Sequence, residues 1–418
     1  MPVEVLTFGC RLNAAESEAM RQQAEAAGHR DLVVVNTCAV TAEAGRQARK
    51  AIRAAVRADA GARVVVTGCG AQVETRAYAA MPEVAAVIGN RRKLDAETWR
   101  DLDPAGGVPD GAGRVRVDDV WARRPEPAPL LGEMPGRTRA FVPVQNGCDH
   151  RCTFCVIPFG RGASRSVAPE AVVAQVSRLV ERGTREVVLT GVDLTAYGRE
   201  CGGPSLGGLV ATILRAVPDL PRLRLSSIDS VEADAALLDA LAGEPRLMPH
   251  LHLSLQAGDD LILKRMRRRH GRADAIRFCA EVRRLRPETV FGADLIAGFP
   301  TETEAQFARS LDLVAACGLT HLHVFPYSPR PGTPAARMPQ VAPGTIRDRA
   351  SRLRAAGAAA LRRRLDAEIG RTHRVLAERG GLGRTESFLP VRLPEGAEPG
   401  ALVPLRIAGH DGRALLAA

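Results

Sequence analysis

The sequence predicts an α/β chain in three parts: a small flavodoxin-like α/β domain, a larger partial (β/α)6 barrel, and a small β-barrel at the C-terminal end. Three observations carry this expectation. Short β-rich runs alternate with helical stretches over residues 1–105, and again on a larger scale from about 138 to 345. Between them, residues 106–137 are rich in Pro and Gly and hold no sustained period, as a linker does. The last stretch, of about 50 residues, consists of short runs broken by Gly and Pro turns.

In the first part, Val3–Phe8, Leu32–Asn36, Arg63–Thr67 and Val84–Ile88 read as strands, and Glu16–Ala27 and Ala42–Ala58 as helices. The alternation implies a parallel sheet. In the middle part the expected strands are Phe141–Gln145, Glu186–Thr190, Leu223–Ser227, His250–Leu255, Val290–Ile296 and His321–Pro326, with helices near 168–182, 205–216, 232–242, 272–286 and 303–316. Right-handed βα units gather their chemistry at the C-terminal strand ends. Unusual polar residues stand there: Cys148, Asp193, Ser227 with Asp229, Gln256, Asp294, and Tyr327 with Ser328. An Arg-rich helix of roughly 345–369 leads to Arg374–Glu378, Ser387–Arg392, Leu402–Ala408 and Arg413–Leu416, a small antiparallel barrel of a kind that often holds RNA. The expected division is 1–105, linker 106–137, barrel 138–368 and tail 369–418.

With 418 residues, 45% of them hydrophobic, the chain can build ample core. No apolar run approaches about 18 residues, and Met-Pro-Val-Glu-Val-Leu-Thr-Phe8 reads as a strand, not a signal segment. A cytoplasmic protein away from the membrane is expected, its nine cysteines reduced. The net charge of +11 invites a polyanion such as nucleic acid. Only Lys50, Lys93 and Lys264 among the 58 basic residues are lysine, a bias toward Arg that makes local density the better guide. Residues 264–272 hold six basic side chains, and 347–374 hold nine Arg against Asp348, Asp366 and Glu368. Each run is either a phosphate-contacting surface or a solvated helix face.

Cys148, Cys152 and Cys155 form a C-x3-C-x2-C loop, three thiolates where a [4Fe–4S] cluster takes four ligands, so one iron stays open. A structural zinc site would need a fourth ligand, for which His150 is the local candidate. Cys10, Cys38 and Cys69 are spaced by 28 and 31 residues, too far for a metal loop. Each nevertheless follows the C-terminal end of an expected strand. In a parallel sheet those ends share one edge, so the three can converge as a second three-Cys [4Fe–4S] site. Cys201, Cys279 and Cys317 show no such pattern and read as structural.

Both cysteine sets occur together with Gly9-Cys-Arg-Leu-Asn13, Glu16-Ser17, Asn36-Thr-Cys-Ala-Val40, Gly68-Cys-Gly-Ala-Gln72, Leu189-Thr-Gly-Val192, Arg224-Leu-Ser-Ser227, His252-Leu-Ser-Leu-Gln256, Asp294-Leu-Ile-Ala-Gly-Phe-Pro300 and Phe325-Pro-Tyr-Ser328. In that order they resemble the radical S-adenosylmethionine (SAM) methylthiotransferases over essentially the whole chain. The resemblance implies a radical SAM barrel, a TRAM-like RNA-binding tail, two [4Fe–4S] clusters and SAM. Cys148, Cys152 and Cys155 would hold the cluster that cleaves SAM to a 5′-deoxyadenosyl radical, with Phe154 shielding it. Gly191, Asp193, Ser227, Gln256 and Asp294 would contact SAM. Cys10, Cys38 and Cys69 would hold an auxiliary cluster carrying the sulfur that another SAM methylates. Asp193, Ser254, Ala257 and His270 depart from the family's usual Asn or His, Pro, Ser and Tyr.

A single residue separates Arg161-Gly162 from Ser164-Arg165. This spacing resembles the branch that converts N6-threonylcarbamoyladenosine at position 37 of tRNA (t6A37) to its 2-methylthio derivative (ms2t6A37). The branches acting on isopentenyladenosine-37 and on a ribosomal-protein Asp are the alternatives. The implied partners are the tRNA anticodon stem-loop and a flavodoxin- or ferredoxin-type electron donor, with a monomer as the default. A reading of another class, a non-catalytic iron–sulfur electron carrier with an RNA-binding tail, would call for clusters ligated fully by Cys.

Overall fold

The computed structural model describes residues 3–102, 113–122 and 138–418, which fall into two compact units. The first holds β1 (Glu4–Thr7), α1 (Arg11–Ala26), β2 (Leu32–Thr37), α2 (Ala42–Ala58), β3 (Arg63–Thr67), α3 (Gly68–Val73), α4 (Thr75–Ala79), β4 (Val84–Ile88), α5 (Ala96–Arg100) and β5 (Val115–Arg116). All five strands are parallel, in the order β1-β2-β3-β4-β5. Side chains alternate across the pleat. Leu32, Val34, Val65 and Ile88 pack with Met20, Ala24 and Trp99, while Val33, Val35, Val64 and Val66 pack with Ala48, Ile52 and Tyr78. Both faces are therefore covered, as a parallel sheet requires.

The parallel α/β class is the expected one, but the strand order lacks the reversal of a flavodoxin-like sheet. Hydrophobicity accounts for this. Leu32-Val-Val-Val is wholly buried inside the sheet, whereas the shorter Glu4-Val-Leu-Thr7 is partly exposed and takes an edge. β5 lies inside the stretch expected as linker and pairs with β4; the remainder of that stretch, 106–112 and 123–137, is outside the described residues. Segment 145–167, expected with the barrel, also packs in this unit, as do residues 328–333.

The second unit begins with β6 (Arg139–Pro143). The intervening β7 (Gln145–Asn146), α6 (Ile157–Arg161) and β8 (Arg165–Ser166) belong to the first. There follow α7 (Pro169–Glu181), β9 (Glu186–Thr190), α8 (Leu206–Ala216), β10 (Arg222–Leu225), β11 (Ser227–Ile228), α9 (Ala235–Gly243), β12 (His250–Gln256), α10 (Asp260–Met266), α11 (Arg272–Leu285), β13 (Val290–Ala297), α12 (Glu304–Ala316) and β14 (Leu319–Pro326). Strands β6, β9 and β10, then β11 to β14, pair in parallel and in chain order, which is the partial barrel expected. Ser205, Asp234, Asp259 and Thr303 cap the helices that follow them through their side-chain oxygens. Helix α10 was hidden in the basic run; it buries Ile262, Leu263 and Met266. Among the described residues no helix is long and apolar enough to cross a membrane.

Helix α13 (Pro343–Asp366) leads to β15 (Thr372–Ala377), β16 (Leu382–Arg384), β17 (Pro390–Arg392), β18 (Leu402–His410) and β19 (Leu415–Ala417). They close into a barrel in the order β15-β16-β17-β19-β18 around Val375, Leu389, Val391, Ile407 and Leu415. The expected all-antiparallel pairing is corrected at one seam. The long β18 turns back into β19, which re-enters parallel to β17.

Phe388 fastens this barrel to the larger one. Its backbone has φ +70, and its ring lies 5.0 Å from that of His250 and 4.8–5.0 Å from the guanidinium carbons of Arg139, Arg224 and Arg384. His250 begins β12 and Arg139 begins β6, so the small barrel covers the N-terminal strand ends and leaves the C-terminal rim to other uses. Replacing Phe388 with Ala should remove about 2 kcal/mol of apolar and cation–π contact. A lower thermal midpoint by circular dichroism is the expected result, and an unchanged one would count against this anchor.

Candidate functional site

In the first unit the parallel sheet brings three cysteines to one edge. Cys10 is the N-cap of α1, Cys38 follows β2, and Cys69 is the second residue of α3, directly after β3. A polar lattice pins these strand ends. Asn13 donates to the carbonyls of Phe8 (2.8 Å) and Thr37 (3.1 Å), Asn36 donates to Asn13 O and Ser17 Oγ (3.0 Å each), and Thr37 Oγ1 accepts from Ala71 N (2.9 Å). Gly9, at φ +103, runs so close that a Cβ there would lie 2.9 Å from Cys38 Sγ. Burial pushes the Cys38 thiol up to about 11, and Cys69 and Cys10 push the same way. A buried thiol raised in this way ionises when a cation binds beside it, and Cys69 and Cys10 lie within electrostatic reach of the Cys38 sulfur. A bound metal group supplies that cation, so the donor set fits an iron–sulfur cluster.

The second set lies in the same unit. Cys148, Cys152 and Cys155 are half-buried on the loop between β7 and α6, which Cys148 N→Gly162 O (3.0 Å) and Cys155 N→Cys152 O (3.1 Å) hold in shape. Gly147, at φ +73, is required there because a Cβ would strike the Ala163 carbonyl. Phe154 is half-buried beside Cys155. Arg151 of the loop lies over the exposed ring of Trp121, 4.7 Å from its centroid.

Arg161, the last residue of α6, joins the two sets; the sequence marks it only as part of the Arg161-Gly162 spacing and assigns it no place at the cysteines. Its Nε donates to Cys69 Sγ (3.1 Å), its Nη1 to Glu16 Oε1 (2.8 Å) and Asn146 Oδ1 (3.0 Å), and its Nη2 to Asn13 Oδ1 (2.6 Å) and Glu16 Oε2 (2.9 Å). Lys93 Nζ reaches Glu16 Oε2 at 2.5 Å. Burial pushes the Glu16 carboxyl upward, yet Arg161 and Lys93 outweigh it and hold it at about 2. Burial also lowers the Arg161 guanidinium, but Cys69 and Glu16 raise it well above its usual range. One signal was available: Lys93 is one of only three lysines in the chain.

In the second unit the structure places the sequence-derived residues at or near strand ends, except Asp294, which lies within its strand. Gly191 and Asp193 follow β9, Ser227 begins β11, Gln256 ends β12, and Asp294 lies in β13. Ser227 and Asp294 are partly exposed in strands that are otherwise buried, as side chains lining an accessible interior would be. Gln256 has φ +68 and is spanned by Ala257 N→Leu255 O (2.8 Å), a γ-turn of the strained hand.

Asp294 Oδ1 accepts from both His252 Nε2 (2.8 Å) and His323 Nδ1 (3.2 Å), two residues that sequence reasoning missed. Burial raises the Asp294 carboxyl, but these hydrogen bonds prevail and hold it below the usual range. The register gave a clue, since Gly292 lies opposite His252 and a Cβ there would be 2.5 Å from its Nδ1. Asp229 is tied to Arg268, and Tyr327 is buried. Cys279 and Cys317 are buried together with their thiols hydrogen-bonded, as structural residues are.

The two basic runs divide by partner. In 264–272, Arg265 donates to Thr301 Oγ1 (2.7 Å), Arg269 pairs with Glu232 (2.6 Å), and Arg268 and Arg272 pair with Asp229 and Asp312. That run is mainly structural. In α13, Arg349 is buried against Glu302 (3.0 Å), Arg352 pairs with Glu304 (2.7 Å) and Arg364 with Glu368 (2.5 Å). Arg347, Arg362 and Arg363 are exposed and have no acidic partner among the described residues.

Residues 142–314 match the radical SAM superfamily, and residues 2–89 match the uncharacterized protein family UPF0004. A Rickettsia prowazekii (strain Madrid E) protein described as threonylcarbamoyladenosine tRNA methylthiotransferase MtaB is 45% identical over 98% of this chain and 95% of its own. The MtaB of Thermotoga maritima is 36% identical over 80% of this chain and 77% of its own. A tRNA-2-methylthio-N(6)-dimethylallyladenosine synthase of Cereibacter sphaeroides (strain ATCC 17029 / ATH 2.4.9) is 34% identical over 98% and 97%. In fold, the chain is similar to the radical SAM methyltransferase TsrM from Kitasatospora setae, solved with cobalamin and a [4Fe–4S] cluster bound, at TM-score 0.54 and 18% identity over 78% of this chain and 70% of that one. A match of this extent, with both cysteine sets in place, makes the chain a member of the radical SAM tRNA methylthiotransferases.

Proposed function

We propose that this enzyme converts t6A37 of tRNA to ms2t6A37, with Cys148, Cys152 and Cys155 holding one [4Fe–4S] cluster and Cys10, Cys38 and Cys69 holding another. The observation that most supports this reading is the presence of both triads in one compact unit, joined by Arg161. When bound, the first cluster supplies the electron that cleaves SAM and the second supplies the sulfur for transfer. The protein's own part is to position and to exclude water. Phe154 screens the Cys155 side of its loop from solvent. Gly191, Asp193, Ser227, Gln256 and Asp294 hold SAM at the barrel rim. Because both imidazoles bond Asp294 Oδ1, its Oδ2 can accept from the amino or ribose groups of SAM.

The reading extends to a cytoplasmic monomer that takes electrons from a flavodoxin- or ferredoxin-type donor and binds the anticodon stem-loop through its C-terminal barrel and α13. The 45% identity to the Rickettsia prowazekii threonylcarbamoyladenosine enzyme, against 34% to the Cereibacter sphaeroides synthase, favours t6A37 as substrate. Mass spectrometry of tRNA nucleosides from a deletion strain should show ms2t6A lost and t6A accumulating. Loss of the 2-methylthio isopentenyl nucleoside, or of methylthio-Asp from a ribosomal protein, would assign one of the alternatives instead.

Replacing Arg347, Arg362 and Arg363 together with Glu should weaken tRNA binding and flatten its salt dependence, the log–log slope falling by about one for each phosphate no longer neutralised. Formation of 5′-deoxyadenosine without tRNA should persist. Unchanged affinity and slope in this variant would mean that these arginines form only a solvated face.

A further inference from the structure

The first unit buries a set of charges that folding alone does not explain. Glu16, Lys93 and Arg161 are 1%, 1% and 3% exposed, and they set two cations against one carboxylate. Glu16 meets only the two terminal nitrogens of Arg161, and a buried guanidinium is stabilised by a further anion at its third nitrogen. Arg161 directs its remaining nitrogen, Nε, at Cys69 Sγ. As a metal ligand Cys69 is a thiolate, an anion that accepts this bond. Nearby groups act in the same sense: Asn90 Nδ2 lies 3.6 Å from Cys69 Sγ and donates to the Gly160 carbonyl (2.5 Å). A Cβ on Gly160 would lie 3.4 Å from Cys69 Cβ, which places α6 directly on the helix that carries this cysteine.

We propose that Arg161 is a positioning residue that sets the reduction potential of the auxiliary cluster through its Nε–H···Sγ bond to Cys69, and that it locks that cluster's site to the loop bearing Cys148, Cys152 and Cys155. The proposal rests on the cluster assignment given above. A donor and a positive charge at a ligand sulfur favour the reduced cluster, which carries one more negative charge, and so raise its potential. Glu16 moderates the effect by offsetting part of that charge. The placement of Arg161 also has a consequence for transfer. The residue six positions after Cys155 holds Cys69, so a shift of either site is transmitted to the other through one side chain.

The test uses the full-length chain with Cys148, Cys152 and Cys155 all replaced by Ala, reconstituted anaerobically with iron and sulfide. This background should hold about four irons, and the potential of that cluster can be read by electron paramagnetic resonance titration. Adding Arg161→Gln should move the midpoint negative, lowering the reduced-to-oxidised ratio at fixed potential by about tenfold, equivalent to about 59 mV for one electron. Arg161→Lys, which keeps the charge but loses the planar donor, should recover part of the shift. Glu16→Gln should move the midpoint the other way. Unchanged midpoints in Arg161→Gln and Glu16→Gln with four irons retained would overturn the role of Arg161. If Arg161→Gln fails to fold by circular dichroism, Glu16→Gln decides, and the absence of a positive shift there overturns the proposal. Failure of the triple-Ala background itself to bind iron would instead remove the cluster assignment, which separates the two failures.

Discussion

Replacing Cys152 with Ala should halve the iron content of the anaerobically reconstituted protein, from about eight to about four, and abolish formation of 5′-deoxyadenosine from SAM. The magnitude follows from the ligand count. Each triad supplies three thiolates, and a cluster left with two is not retained. The fold should survive, because Cys152 is only half-buried and the bond that shapes its loop, Cys155 N→Cys152 O, is made by backbone atoms that Ala preserves. The second triad should survive too. Its immediate support is Glu16, Lys93, Arg161, Asn13 and Asn90, all of them outside the loop that carries Cys152. Iron remaining near eight, or 5′-deoxyadenosine forming at the parent rate, would remove Cys152 from the ligand set. A zinc-binding loop completed by His150 would show zinc in place of the lost iron in the parent protein.

Much of this architecture is legible in the sequence because it rests on local periodicity. Arg63–Thr67, Val84–Ile88 and Glu186–Thr190 are short, largely apolar runs rich in Val, and their limits coincide with the observed strands. The cysteines were legible for a topological reason: three strand ends in a parallel sheet necessarily open on one edge. What was hidden depends on pairing distant in sequence. The chain-order placement of β1 follows from its weak burial relative to β2, which no local pattern displays. Helix α10 was masked because its buried Ile262, Leu263 and Met266 sit among basic residues that pair with Asp229, Glu232 and Asp312. Arg161 meets Glu16 across 145 residues, and His252 meets Asp294 across 42. Such contacts belong to the tertiary fold; the chain advertises them only as charged or polar residues in otherwise buried segments.

Replacing Cys38 with Ala should separate the two chemical tasks: SAM should still be cleaved to 5′-deoxyadenosine in the presence of dithionite, while methylthiolated tRNA should fall below detection. Cys38 is buried after β2, where Val40 N approaches its sulfur at 3.5 Å and Gly9 leaves no room for a larger group. Ala removes only the sulfur, so Asn13, Asn36 and Thr37 can still hold the sheet edge in place. The loop of Cys148, Cys152 and Cys155 keeps its own backbone bonds and should retain about four irons. With SAM cleavage intact and no sulfur to transfer, the variant should consume SAM without modifying tRNA. Two outcomes would sink this division of labour. Methylthiolated tRNA at the parent rate would show that Cys10, Cys38 and Cys69 do not carry the transferred sulfur. Loss of 5′-deoxyadenosine from a folded variant would show that the two triads act as one site, whereas an electron carrier without catalytic function would form no 5′-deoxyadenosine even in the parent protein.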